Sequence, residues 1–256
     1  MASLLRPVVR PVLNRLADLI EWLLPGWNPD AAWRYLPMAR TVAAVVGPRA
    51  RVLDVGAGDT GIAPYVRNPC VLADSGTPTR ARAPFVQANC LRLPFRDRAF
   101  PAVVSADLLE HLPAAERPAA VAEMLRVAER LVVIAAPTGP AAEAHDRRLH
   151  ECSAEAGRSG FLAEHLAHGL PSAEDLVGWV ATAAHERFGN PEVRVRQNAS
   201  LAVRYAMMRG IVGGDEWGAI IRVRLWTPLS PLLARLNMGR CYRTIVSCSD
   251  TRVDPS

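Results

Sequence analysis

Val52-Leu53-Asp54-Val55-Gly56-Ala57-Gly58-Asp59-Thr60-Gly61 joins a short apolar run to a glycine-rich one. The first half reads as a buried strand and the second as a tight turn, expected to open onto a short helix near Gly61. Glycine suits a backbone that turns sharply and approaches a ligand closely, because it carries no Cβ. Amides at the start of a following helix would then face whatever lies above the turn.

Outward from this turn the chain alternates strand and helix, the pattern of a parallel sheet covered by helices. Strands are expected at 51–55, 70–74, 84–88, 101–106 and 130–135. Val121, Met124, Leu125 and Ala128 form an apolar stripe on the helix between the last two, and Pro118 sits in its first turn. Pro64 limits the first helix to a few turns. Residues 138–170, rich in Ala, Gly, His and Arg, read as a mobile loop with short helices. Ser172-Ala173-Glu174-Asp175 is a capping box opening a helix to about His185. Glu192–Gln197 and Cys241–Cys248 supply a sixth and a seventh strand. The expected fold is α/β: a Rossmann-like, mostly parallel seven-stranded sheet with helices on both faces.

Two additions frame this core. Residues 1–48 form an N-terminal helical segment, with helices at 3–24 and 30–46. Leu5, Val9, Val12, Leu16, Leu19 and Leu23 share one stripe of the first, suiting either a helix packed on the core or one lying on a membrane surface or over the site. Within the main domain, 49–250, an apolar insertion at 199–240 carries Tyr205, Met207, Met208, Trp217 and Trp226. It reads as extra core, a substrate cap or a dimer surface. The tail 251–256 is expected to fray.

Composition narrows the classes. A chain of 256 residues, half of them hydrophobic, can bury a sizeable core. The five cysteines are odd in number and none form a Cys-x-x-Cys pair, which argues against a disulfide framework or zinc knuckle and for a reducing cytoplasm. All 30 basic residues are arginine, and a net charge of +5 spread along the chain is weak support for nucleic acid. No run approaches the roughly 18 apolar residues of a membrane span.

Gly56-Ala57-Gly58-Asp59-Thr60-Gly61 fits Gly-x-Gly-x-x-Gly, which alone admits a dinucleotide or S-adenosylmethionine. A pyrophosphate disfavours nearby carboxylates, yet Asp54 and Asp59 flank and enter the turn. A ligand bearing an ammonium and a sulfonium tolerates them. Asp74, at the end of the next strand, can accept from both ribose hydroxyls of either ligand.

Two further motifs, Gln87-Ala88-Asn89-Cys90-Leu91-Arg92-Leu93-Pro94-Phe95 and Ser105-Ala106-Asp107-Leu108-Leu109-Glu110-His111-Leu112, follow in order. With them the chain resembles the class I S-adenosylmethionine-dependent methyltransferases over residues 51 to about 138. The pattern is that of the small-molecule branch containing the ubiquinone and menaquinone biosynthesis enzymes. The resemblance implies that Asp54, Gly56, Ala57 and Gly58 surround the methionine part and that Asp74, with Ser75 beside it, holds the ribose. Asn89 stands where the family usually has an aspartate accepting from the adenine amino group, a role it would share with the Cys90 backbone. Ala106 and Asp107 would line the methyl side.

Methyl transfer from a sulfonium asks mainly for in-line positioning and desolvation. A base helps if the acceptor is a hydroxyl or an activated carbon. His111 is the first candidate, with a loop hydrogen bond as its alternative role; His145 and His150 are weaker candidates or a solvated helix face. No His-Glu-x-x-His pattern occurs, and no metal is expected. The Asn/Asp-Pro-Pro-Tyr/Phe tetrapeptide of nucleobase amine methylation is missing at the fourth strand, so nucleic acid is not the expected partner. The apolar additions suggest a small or amphipathic, lipid-linked acceptor and peripheral membrane contact. A catalytically silent donor-binding subunit and a dinucleotide-dependent oxidoreductase are the competing readings.

Overall fold

A computed structural model describes residues 29–79, 81, 83–153, 160–212, 229–232, 234–235 and 237–251, with Arg15 and Leu19. The expected helix at 3–24, Trp217, Trp226 and the tail beyond 251 therefore lie outside the described residues.

Seven strands form one sheet: β1 (Val52–Val55), β2 (Cys70–Asp74), β3 (Phe85–Gln87), β4 (Phe100–Ala106), β5 (Ala128–Pro137), β6 (Pro191–Ser200) and β7 (Cys241–Asp250). Their order is β3-β2-β1-β4-β5-β7-β6. Strands β1 to β5 run parallel, and β7 lies antiparallel between β5 and β6. The sequence order reverses between β1 and β4, so a crevice opens there beyond the strand ends, where ligands bind in sheets of this kind.

Six helices accompany the sheet among the described residues: α1 (Pro29–Val46), α2 (Arg117–Val127), α3 (Gly139–Ser153), α4 (Gly160–His168), α5 (Ala173–Phe188) and α6 (Leu201–Val212). One face of the sheet packs Leu53, Val103, Val132 and Ile134 against Val121, Met124 and Leu125 of α2 and Leu176 and Val180 of α5. The other packs Val52, Val104 and Val133 against Met38 and Val42 of α1, both fully buried. Residues 29–46 thus pack onto one face of the sheet. A third cluster, holding Trp33, Leu149, Leu162, Met207 and Tyr242, ties α1, α3, α4, α6 and β7 together above the strand ends.

Two expectations change. Residues 138–170, expected as a mobile loop with short helices, hold a 15-residue helix, α3, and the shorter α4. Their apolar spacing is sparse, and they gain stability by packing Ala142, Leu149 and Leu162 into the third cluster. The glycine turn leads only to a 3-10 turn, Ala63–Tyr65, with Pro64 inside it; Val66 is already extended. Ser172 does cap α5, accepting from the amide of Asp175 at 2.9 Å.

Candidate functional site

The glycine turn is shaped from below. Asp54 is fully buried in β1, and its Oδ2 accepts from the amide of Ile62 at 2.6 Å. Burial pushes its carboxyl pKa up to about 7. A Cβ on Gly61, whose φ is +50°, would collide with that same oxygen, so the glycine and the aspartate fit as a pair. Gly56, at φ +75°, lies against Leu108, which a side chain there would have to push aside. Asp74 closes the turn from the side: its Oδ2 accepts from the amide of Gly58 and its Oδ1 from that of Gly76, both at 2.9 Å.

A cavity of about 390 Å³ opens above, lined by Gly56, Asp74, Ser75, Asn89, Cys90 and His111, with Leu108, Leu112 and Glu116 across from the strand ends. Six of the residues singled out in the sequence therefore meet in one place. Each Asp74 oxygen retains a lone pair for a ligand hydroxyl. Asn89 holds its own loop, its Oδ1 accepting from the Leu91 amide at 2.9 Å. That bond fixes the carboxamide's orientation and leaves its NH₂ as the group free to donate into the cavity.

Asp54, Ala57, Gly58 and Ala106 do not line this cavity. Asp54 faces down into the turn, and Ala106 is a buried strand residue. The carboxylate assumed to repel a pyrophosphate is thus an internal strut of the loop.

Asp107 is also elsewhere. It takes a left-handed conformation, φ +54°, immediately after β4, and its carboxylate does not line the first cavity. Arg243 Nε donates to both its oxygens, at 2.6 and 2.9 Å, and Arg34 Nη1 lies 3.5 Å away. Burial alone would raise its pKa, but the two guanidiniums outweigh that and hold it at about 2.

Asp107 lines a second cavity of about 310 Å³ with Asp30, Arg34, Phe161, His165, Arg204, Met208 and Tyr242. His111 lines both cavities. Its position follows from the 3-10 turn Leu109–His111 that continues from β4. Its Nδ1 lies 2.7 Å from Glu164 Oε2 of α4.

His145 lines neither cavity; its Nδ1 lies 3.2 Å from Asp146 Oδ1 and 3.1 Å from Arg204 Nη1, and burial lowers its pKa. His150, further along α3, lines neither.

Several functional candidates were not singled out from the sequence. His165 Nδ1 lies 2.8 Å from Asp146 Oδ2, which also accepts from the Tyr242 hydroxyl at 2.7 Å. Asp146 is held well below the usual carboxylate range: burial opposes this, but bonds from His145 and His165 and the charge of Arg204 prevail. Glu110 is fully buried, and burial, with Asp107 nearby, raises its pKa well above the ordinary value. No short motif links residues 110, 146 and 165; only the packing of α3 and α4 over the Leu109–His111 turn assembles them.

Comparison with known proteins agrees with this architecture. Residues 53–132 match the model of a methyltransferase domain family. No curated protein sequence matches the chain. A methyltransferase acting on N1 of 1,6-didemethyltoxoflavin from Burkholderia thailandensis, solved with that compound and S-adenosylhomocysteine, is 14% identical. The alignment covers 98% of this chain and 88% of that one, with a TM-score of 0.50. A SAM-dependent methyltransferase from Archaeoglobus fulgidus is 14% identical over 91% of this chain and 99% of its own, with a TM-score of 0.51. At such identities the likeness is one of fold. Sequence motifs, domain match and strand order converge, and the chain carries a class I S-adenosylmethionine-dependent methyltransferase domain.

Proposed function

We propose that the chain transfers the methyl group of S-adenosylmethionine to a small or amphipathic metabolite, at a hydroxyl or an activated carbon. The observation that carries this reading is His111, the polar side chain common to two adjoining cavities. The first, with Asp74 and Asn89, suits the donor's ribose and adenine. The second, with Phe161, Met208 and Tyr242 beside Arg34 and Arg204, suits an acceptor that is part apolar and part polar. Transfer then takes place across the wall that His111 forms, where an imidazole nitrogen is placed to take the acceptor's proton. Met208 and Arg204 come from α6, in the apolar insertion, which supports a capping role for that segment. Among the described residues no helix is long and apolar enough to cross a membrane. The reading places any lipid-linked acceptor at a peripheral membrane contact.

The test is a thermal-shift panel of S-adenosylmethionine, S-adenosylhomocysteine and nicotinamide cofactors, followed by donor consumption with candidate acceptors. Stabilisation by the two sulfur ligands and turnover with a hydroxylated acceptor are expected. Stabilisation by nicotinamide alone would overturn the reading, and donor binding without turnover across acceptor classes would favour a silent binding subunit.

A further inference from the structure

Two histidines face each other at the junction of the cavities. Their Nε2 atoms, on His111 and His165, lie 3.4 Å apart. Each ring is anchored through its other nitrogen to a carboxylate, His111 Nδ1 to Glu164 Oε2 at 2.7 Å and His165 Nδ1 to Asp146 Oδ2 at 2.8 Å. An ionised carboxylate only accepts, so each Nδ1 carries the hydrogen. Both Nε2 lone pairs of neutral rings then point into the same space, an arrangement that is repulsive unless a positive centre lies between them.

A third donor points there too. Glu110 is fully buried, and neither of its oxygens accepts a hydrogen bond from another residue. Its Oε1 lies 3.9 Å from His165 Nε2, too far for a hydrogen bond. The ligand atoms of Glu110, His111 and His165 all lie within 4.8 Å of one another. An ion holding ligands at about 2.1 Å in a tetrahedron spaces them roughly 3.4 Å apart, so a small rotation of Glu110 completes the set. Outer carboxylates on both histidines are the usual support for imidazoles that bind metal, since they fix the tautomer and raise ligand basicity.

We propose that Glu110, His111 and His165 bind one divalent transition-metal ion. Two imidazoles and one carboxylate favour zinc, iron(II), cobalt or manganese over magnesium or calcium. The site sits on the wall of the acceptor cavity, and three protein ligands leave a position open. Its catalytic consequence rests on the methyl-transfer reading: an acceptor hydroxyl taking the open position would release its proton to solvent water more readily, and its oxygen would take the donor's methyl group as S-adenosylhomocysteine leaves. His111 would then act as an ion ligand rather than as the base. Ion binding itself does not depend on that reading.

The test uses the tag-free, full-length protein stripped with a chelator and titrated with Co²⁺, followed by visible absorption and calorimetry. One ion per chain is expected, with ligand-field bands that zinc displaces. His165→Ala and Glu110→Gln should each weaken cobalt binding at least tenfold, and Asp146→Asn should weaken it less. Glu110 and His165 do not line the donor cavity. Stabilisation by S-adenosylhomocysteine therefore reports whether each variant is folded and whether the donor reading holds, independently of cobalt. Wild-type protein that takes up no stoichiometric cobalt overturns the proposal, and so does binding unchanged in folded His165→Ala and Glu110→Gln. The first of these results would leave a proton shared between the two imidazoles as the positive centre.

Discussion

Arg243 and Asp107 lie 136 residues apart in the chain, and Arg243 Nε donates to both oxygens of the Asp107 carboxylate, at 2.6 and 2.9 Å. This contact joins the end of β4 to the start of β7. Arg34 and Asp30 of α1 extend it, with Arg34 Nη2 2.9 Å from Asp30 and 3.5 Å separating Arg34 from Asp107. Arg243 is 1% exposed, so removing its partner strands a buried cation. Asp107→Ala is expected to cost about 3–5 kcal/mol, measured by urea denaturation. Asn tolerates the left-handed backbone at this position, so Asp107→Asn should cost less.

Asp74 meets the amides of Gly58 and Gly76 and lines the donor-side cavity. Asp74→Ala should weaken S-adenosylmethionine binding tenfold or more, about 1.4 kcal/mol per decade, as read by calorimetry. An unchanged affinity would move the ribose elsewhere.

Asn89 keeps its Oδ1 on the Leu91 amide. An aspartate can make the same bond and still present a charged acceptor to an adenine amino group. Asn89→Asp is therefore expected to tighten donor binding several-fold without loss of stability, whereas Asn89→Ala should weaken binding and loosen the loop.

Gly61 has φ +50°, and a Cβ there would strike Asp54 Oδ2. Gly61→Ala should cost roughly 2 kcal/mol or more, from the backbone conformation together with the clash. The loss should appear both in urea denaturation and in donor affinity, since the turn carries Gly56 and positions Asp74.

Asp54 sets a pH dependence. Its folded pKa is raised to about 7 against an ordinary value of 3.8. Over that interval the folded chain holds a proton that the unfolded chain has lost, so this group's contribution to stability falls as pH rises and is level above about 7. Asp54→Asn should flatten the urea midpoint between pH 4 and 7. A slope unchanged from the wild type would show that Asp54 is ionised in the folded chain.

Local pattern carries most of the sheet. The strands of the parallel core are largely apolar runs bounded by turn residues, and Gly56, Asp74, Asn89 and His111 meet at one cavity because they stand at successive strand ends. The bounds and length of the Gly139–Ser153 and Gly160–His168 helices were not legible, since their stability comes from a cluster whose members lie far apart in the chain.

The sequence alone determined a mostly parallel sheet and the residues at its carboxyl edge, because periodicity and glycine placement are local properties. Only the tertiary structure decided what those residues do. It turned Asp54 into a buried strut of the loop and Asp107 into the partner of Arg243. It also brought His165 to His111. Side-chain direction and contacts between distant segments depend on how helices pack over the strand ends, and no single stretch of sequence encodes that.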